Sequence, residues 1–233
     1  FSVNYSDYPR VYDLRNDLDA LIMVVSPMDE HGYFSTGPYF GETLGMLRNA
    51  KHVFVEVNKY LPRTFGQNFI HISQVEALCE HDEPIFELPV GEPSENDYKI
   101  GNIIAEMVPD EATIQIGIGG VSGALGKALA GKKDLGIHTE MFSDAMVELI
   151  ECGAVTNEKK TINKRQSVST FCFGSKKVYE YIDNNPSLVM LPVEYVNDPY
   201  VIAQNDKFVS VNAGLEVDFF GQVCSETIGP VPF

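Results

Sequence analysis

The sequence predicts an α/β protein built on open parallel sheet. Three observations carry that expectation. Continuous apolar runs end in turn formers, as strands buried on both faces do. Beyond residue 97, strand-like and helix-like segments alternate, which is the rhythm of crossover connections. The stretch FELPVGEPSEND (86–97) has two prolines, a glycine and little periodicity, and it divides the chain into units 1–88 and 98–233 with 89–97 as linker.

In chain order, LDALIMVVSP (18–27) is an apolar run closed by Ser-Pro and reads as a buried parallel strand. MDEHGYFSTGPYFG (28–41) is a loop whose aromatics anchor it, and GETLGMLRNA (41–50) is a short helix. HVFVEVN (52–58) is a second strand and LPRTFG (61–66) a loop. ISQVEALCE (72–80) reads as helix, with Ser73 as N-cap and Glu76 completing a capping box. DYKIGNIIAEMV (97–108) is an amphipathic helix stopped before Pro109. ATIQIGIGG (112–120) is a strand entering a Gly-rich turn, followed by the helix VSGALGKALAG (121–131). DLGIHTE (134–140) is a strand and MFSDAMVELIECG (141–153) a helix. VSTFCFG (168–174), SKKVYEYIDNN (175–185) and LVMLPVEYVND (188–198) read as strand, helix and a strand interrupted at Pro192. FVSVNAGLEVDFFGQVCSE (208–226) reads as a hairpin or meander.

Composition narrows the function. The 233 residues suffice for one large domain or two small ones, and the net charge of −16 argues against a nucleic-acid partner. No run of eighteen apolar residues, signal peptide or anchor motif is visible, so no membrane partner is expected. The first residue is Phe, which suggests a processed or shortened chain. Four scattered cysteines without a CxxC pair suggest a reducing, cytoplasmic setting.

Ligands of open parallel sheets sit beyond the carboxyl ends of the strands. That rule joins the turn Gly117, Ile118, Gly119, Gly120 to Glu140, at the end of the following strand. One reading is a dinucleotide site with the acid on a ribose hydroxyl, but Ser122 stands where the fingerprint wants Gly or Ala. A second is a nucleophilic carboxylate beside main-chain donors for an oxyanion. A third is a plain helix cap or polar strand end. The HTE triplet (138–140) matches half of a zinc-deaminase signature but lacks its Cys pair, so His138 reads as a core or orienting residue. The cluster Cys79–Glu83 near His71 reads as a solvated helix end, and Ser122 and Ser143 lack a nucleophile-elbow context.

The segments SPMDEHGYFS, VNKYLPRTFGQNFIHISQVE, IGIGG, GIHTEMFSD, YIDNNP, NDPYVIAQND and VNAGLEVDFFGQVCSETIG together resemble the acetyl-CoA hydrolase/transferase family, most closely its 4-hydroxybutyrate and butyrate CoA-transferases. The resemblance implies two similar open α/β domains, both incomplete in this chain, with the active site between them. It implies a CoA-transferase that moves CoA between a short-chain acyl-CoA and acetate. Glu140, in the TEM segment, would be the nucleophile that passes through a glutamyl-CoA thioester. The turn Gly117–Gly120 and Asn212 would hold the oxyanion, and His31 and Tyr33 would line the acyl pocket. Coenzyme A is then a substrate, and no metal or redox cofactor is needed. Water in place of the acceptor would make the same site a hydrolase; a non-catalytic CoA- or nucleotide-binding module is the other alternative. The family usually has Gly where this chain has Ala145. Family chains also begin earlier and run on into a second Gly-rich loop, so this chain is expected to be an internal portion and a homo-oligomer.

Overall fold

The computed structural model describes residues 3–15, 17–88, 91–225, 227–229 and 231–232. Its strands are β1 (Ala20–Val25), β2 (Tyr33–Ser35), β3 (His52–Val57), β4 (Phe65–Gly66), β5 (Phe69–His71), β6 (Ala77–Glu80), β7 (Thr113–Ile116), β8 (Gly136–Phe142), β9 (Ser167–Cys172), β10 (Leu188–Met190) and β11 (Phe208–Val211), with short hairpins after them. Its helices are α1 (Tyr8–Arg15), α2 (Thr43–Asn49), α3 (Glu95–Met107), α4 (Gly120–Leu129), α5 (Asp144–Glu151), α6 (Lys176–Ile182), α7 (Val193–Val196) and α8 (Pro199–Ile202).

Two parallel sheets organise these elements. The smaller has the order β1-β3-β6, with Val25, Val53 and Val55 packed with Phe34 and Ile70. The 18–27 run is buried on one face only: Ile22 is 77% exposed. The larger sheet has the order β11-β7-β8-β9-β10-β4, parallel at every step. Helices α3, α4, α5 and α6 cover one face through Ala105, Leu125, Leu129, Met146, Leu149, Val178 and Ile182, packed on Ile114, Ile116, Ile137 and Met190. The other face carries α7, whose Val196 packs with Val168 and Val189.

Several expectations need correction. The 28–41 and 61–66 stretches, read as loops, hold β2 and β4. Residues 72–80 are a single 3-10 turn, Ile72–Gln74, capped by His71 rather than Ser73, followed by strand β6. The pairing Phe54↔Ala77 through Val57↔Glu80 overrides the helix-favouring residues of this segment. Residues after Pro192 form α7 rather than a resumed strand. In the 208–226 stretch, β11 is a parallel edge strand on β7, and the hairpin begins only at Glu216, which faces Cys224.

The units touch through the backbone. β4, from the first 88 residues, pairs with β10 as the edge of the larger sheet. Phe40 N–H and Gly41 N–H both donate to Thr170 O in β9. Arg48 in α2 holds Asp13 of α1 and Glu194 of α7 at 2.6 and 2.9 Å.

Candidate active site

β8 runs two residues past Glu140, so the acid lies within the strand rather than at its end. Alternation puts His138 and Glu140 on the face that carries α7, while Ile137 enters the opposite core. Glu140 is half-buried. Its Oε2 accepts from Asn197 Nδ2 at 2.5 Å, and its main-chain oxygen accepts from Ser169 Oγ at 2.9 Å. No cation pairs with it among the described residues. It faces a cavity of about 200 Å³ that it shares with Gln115, His138, Val196, Asn197, Ile202, Phe208, Ser210 and Asn212.

Asn212 sits just beyond β11 and is exposed. Its amide forms a reciprocal pair with Gln115: Gln115 Nε2 donates to Asn212 Oδ1 at 3.1 Å, and Asn212 Nδ2 donates to Gln115 Oε1 at 3.2 Å. Asn212 Nδ2 also donates to Ser210 Oγ at 3.1 Å. Both amide hydrogens are therefore engaged, and a developing oxyanion would have to draw one away.

The glycine turn faces a second, larger cavity of about 510 Å³ with Ser143, Asp144, Ala145 and Phe173 on its wall. Gly117, Ile118, Gly119 and Gly120 line that cavity and Glu140 does not. Asn212, on the wall of the Glu140 cavity, is a neighbour of the glycine turn: a Cβ on Gly117 would lie 3.9 Å from its Oδ1. The Gly117 N–H is already spent on Val211 O at 3.1 Å. Ile118 and Gly119 N–H groups have no acceptor among the described residues. Gly119 has φ 108°, a conformation that strongly favours glycine. Ala145 is helical, and its Cβ packs where α4 passes at Gly126.

His31 and Tyr33 are not brought to either cavity. The side chain of His31 is 73% exposed, and Tyr33 meets His71 edge-on at 4.9 Å. Their loop is fixed by Asp29, which accepts from both backbone N–H groups and from Arg63.

Several neighbours of Glu140 were invisible in the sequence. Asn197 and Gln115 carry no local signal, because their partners are distant in the chain. Tyr5 and Tyr39 both donate to Glu42 Oε2, and Tyr5 belongs to a turn packed on α7. Burial and the Glu42 carboxylate push the Tyr39 hydroxyl up to about 12. His138 is 1% exposed and burial pushes its imidazole down to about 4. Lys160, also 1% exposed, donates from Nζ to Ile137 O and Gln166 O at 2.8 and 2.7 Å, and burial lowers it to about 7. Among the described residues no group of three or more His, Cys, Asp or Glu is arranged to hold a metal ion, and no helix is long and apolar enough to cross a membrane.

Comparison with known proteins gives the family of the chain. Residues 2–88 match the acetyl-CoA hydrolase/transferase N-terminal domain and residues 174–232 match the C-terminal domain of the same name. Glu140 lies between the matched segments. Over its full length the chain is 44% identical to the succinyl-CoA:cyclohexane-1-carboxylate CoA transferase of Geobacter metallireducens, covering 54% of that protein. It is 42% identical to the 4-hydroxybutyrate coenzyme A transferase of Clostridium kluyveri over 92% of the chain and 50% of the relative. The crystal structure of RipA from Yersinia pestis superposes with a TM-score of 0.94 at 41% identity, over 97% of this chain and 53% of that one. The chain thus spans about half the length of the curated relatives it matches.

Proposed function

The chain belongs to the acetyl-CoA hydrolase/transferase family, and from that premise we propose that it is the nucleophile-bearing part of a CoA-transferase acting on a short-chain acyl-CoA and acetate. The observation that carries the reading is the setting of Glu140. It is a half-buried carboxylate, held at one oxygen by a neutral amide, free of any cation among the described residues, and open to a cavity lined by further amides. Such a group stays nucleophilic, because a neutral donor orients it without quenching its charge as a salt bridge does.

The chemistry follows. A Glu140 oxygen attacks the acyl-CoA carbonyl, the C–S bond breaks, and an acyl-glutamyl anhydride and CoA thiolate result. The thiolate attacks the Glu140 carbonyl, releasing the acyl group as a carboxylate and leaving a glutamyl-CoA thioester. Acetate attacks that thioester, giving acetyl-glutamyl anhydride and thiolate, and thiolate attack on the acetyl carbonyl releases acetyl-CoA and restores Glu140. Each addition builds an oxyanion. The Ile118 and Gly119 N–H groups, which have no acceptor among the described residues, and the Asn212 amide on the wall of the Glu140 cavity are the donors assigned to it. Asn212 lines the Glu140 cavity and lies beside Gly117, so it stands between the acid and the glycine turn that an acyl-CoA would use together.

The test is chemical trapping. After incubation with butyryl-CoA and borohydride reduction, mass spectrometry should find Glu140 converted to the alcohol, and Glu140→Gln should show no conversion. An unmodified Glu140 in a preparation that turns over would overturn the reading. CoA release without a carboxylate acceptor would assign hydrolysis instead.

A further inference from the structure

We propose that His138 is a positioning residue for the nucleophile: it fixes the Val196–Asn197 peptide, and that peptide aims the Asn197 amide at Glu140. The proposal rests on the reading of Glu140 as nucleophile. His138 Nε2 lies 2.8 Å from Val196 O. A carbonyl only accepts, so Nε2 carries the proton and the tautomer is set. Nδ1 is buried and has no partner among the described residues, so the ring's single hydrogen bond is the one to Val196.

The peptide unit that this bond grips is gripped again on its other edge. Its N–H, that of Asn197, donates to Val193 O at 2.9 Å. A planar peptide held at both C=O and N–H cannot rock about the chain axis. The Asn197 side chain leaves from the next Cα and reaches Glu140 Oε2 at 2.5 Å. α7 is one turn long and cannot hold this geometry alone, because a single helical turn is unstable without tertiary ties. The contacts form a closed circuit: strand, imidazole, peptide, amide, carboxylate, and back to the same strand two residues on. Ordinary core filling needs only the ring's packing against Tyr195 and Phe208.

The two roles separate by substitution in the full chain. His138→Phe keeps the ring and removes the donor; His138→Gln restores a donor at similar reach. Two readouts are followed: the Asn197 side-chain amide signals in a nitrogen–proton correlation spectrum, and the rate of the borohydride-trapped adduct from butyryl-CoA. With His138→Phe the amide signals should move toward those of free asparagine and adduct formation should slow by about tenfold or more. His138→Gln should recover both, and His138→Phe should cost nothing further in an Asn197→Ala background. Unmoved amide signals in His138→Phe, no recovery in His138→Gln, or losses that multiply in the double variant would each overturn the proposal. If His138→Phe does not fold, His138→Asn, whose shorter amide ends near the Nδ1 position, replaces it. A wild-type chain that forms no adduct would overturn the nucleophile reading, and the amide signals would then decide the positioning role alone.

Discussion

Burial disfavours the charged form of two side chains, His138 and Lys160. The lowered pKa of His138 has a definite sign in stability. Between the usual imidazole value of 6.5 and about 4, the unfolded chain takes up a proton that the folded chain refuses. Stability therefore falls as pH drops through that window, by roughly 3 kcal/mol from this ring alone. Above the window both states are neutral, and below it both are charged, so the dependence is confined there. Urea titrations at pH 7 and pH 4.5 should show the loss, and His138→Gln should reduce it. Lys160 behaves with the same sign in a higher window: its penalty is full below about 7 and fades as pH rises toward 10.5. Its two carbonyl partners offset part of that penalty, because they favour the ammonium.

Short elements carry the site, and they are where sequence and structure part. α3, α4 and α5 were legible as helices, α3 from its amphipathic spacing and the stop before Pro109, but its start was not: Ser94, read as linker, caps it. The pairing of Glu140 with the glycine turn follows from strand order, and the structure qualifies it by putting the two on different cavities, with Asn212 of the Glu140 cavity beside Gly117. β6 and α7 were not legible. Glu76, Ala77 and Leu78 favour helix, and only the pairing with β3 makes that stretch a strand. Asn197 lies in the NDPYVIAQND segment, but its contact with Glu140 spans 57 positions and no local pattern encodes it. β4 is shorter still and depends on one residue. Gly66 has φ 136°, and a Cβ there would lie 2.1 Å from Met190 O in β10. Gly66→Ala should therefore cost about 3 kcal/mol or more and loosen the β4 edge, read as a lower denaturation midpoint and faster amide exchange at Gln67.

At the scale of the molecule, the two units share hydrogen bonds that neither owns. A fragment of residues 91–233, which keeps α3 and its Ser94 cap, would lose β4 from β10, the Phe40 and Gly41 donors to Thr170, and the Arg48 tie to Glu194. Its β10 edge would be open to pairing with another chain. Such a fragment should self-associate and melt well below the whole chain, which sedimentation and a thermal scan would measure; a monomeric fragment with an unchanged midpoint would contradict the shared-sheet account. The same strand sets an order of events during synthesis. Phe65 and Gly66 leave the ribosome long before Val189 and Met190 exist. The leading unit must therefore wait with that segment unpaired until the residues of β10 are made.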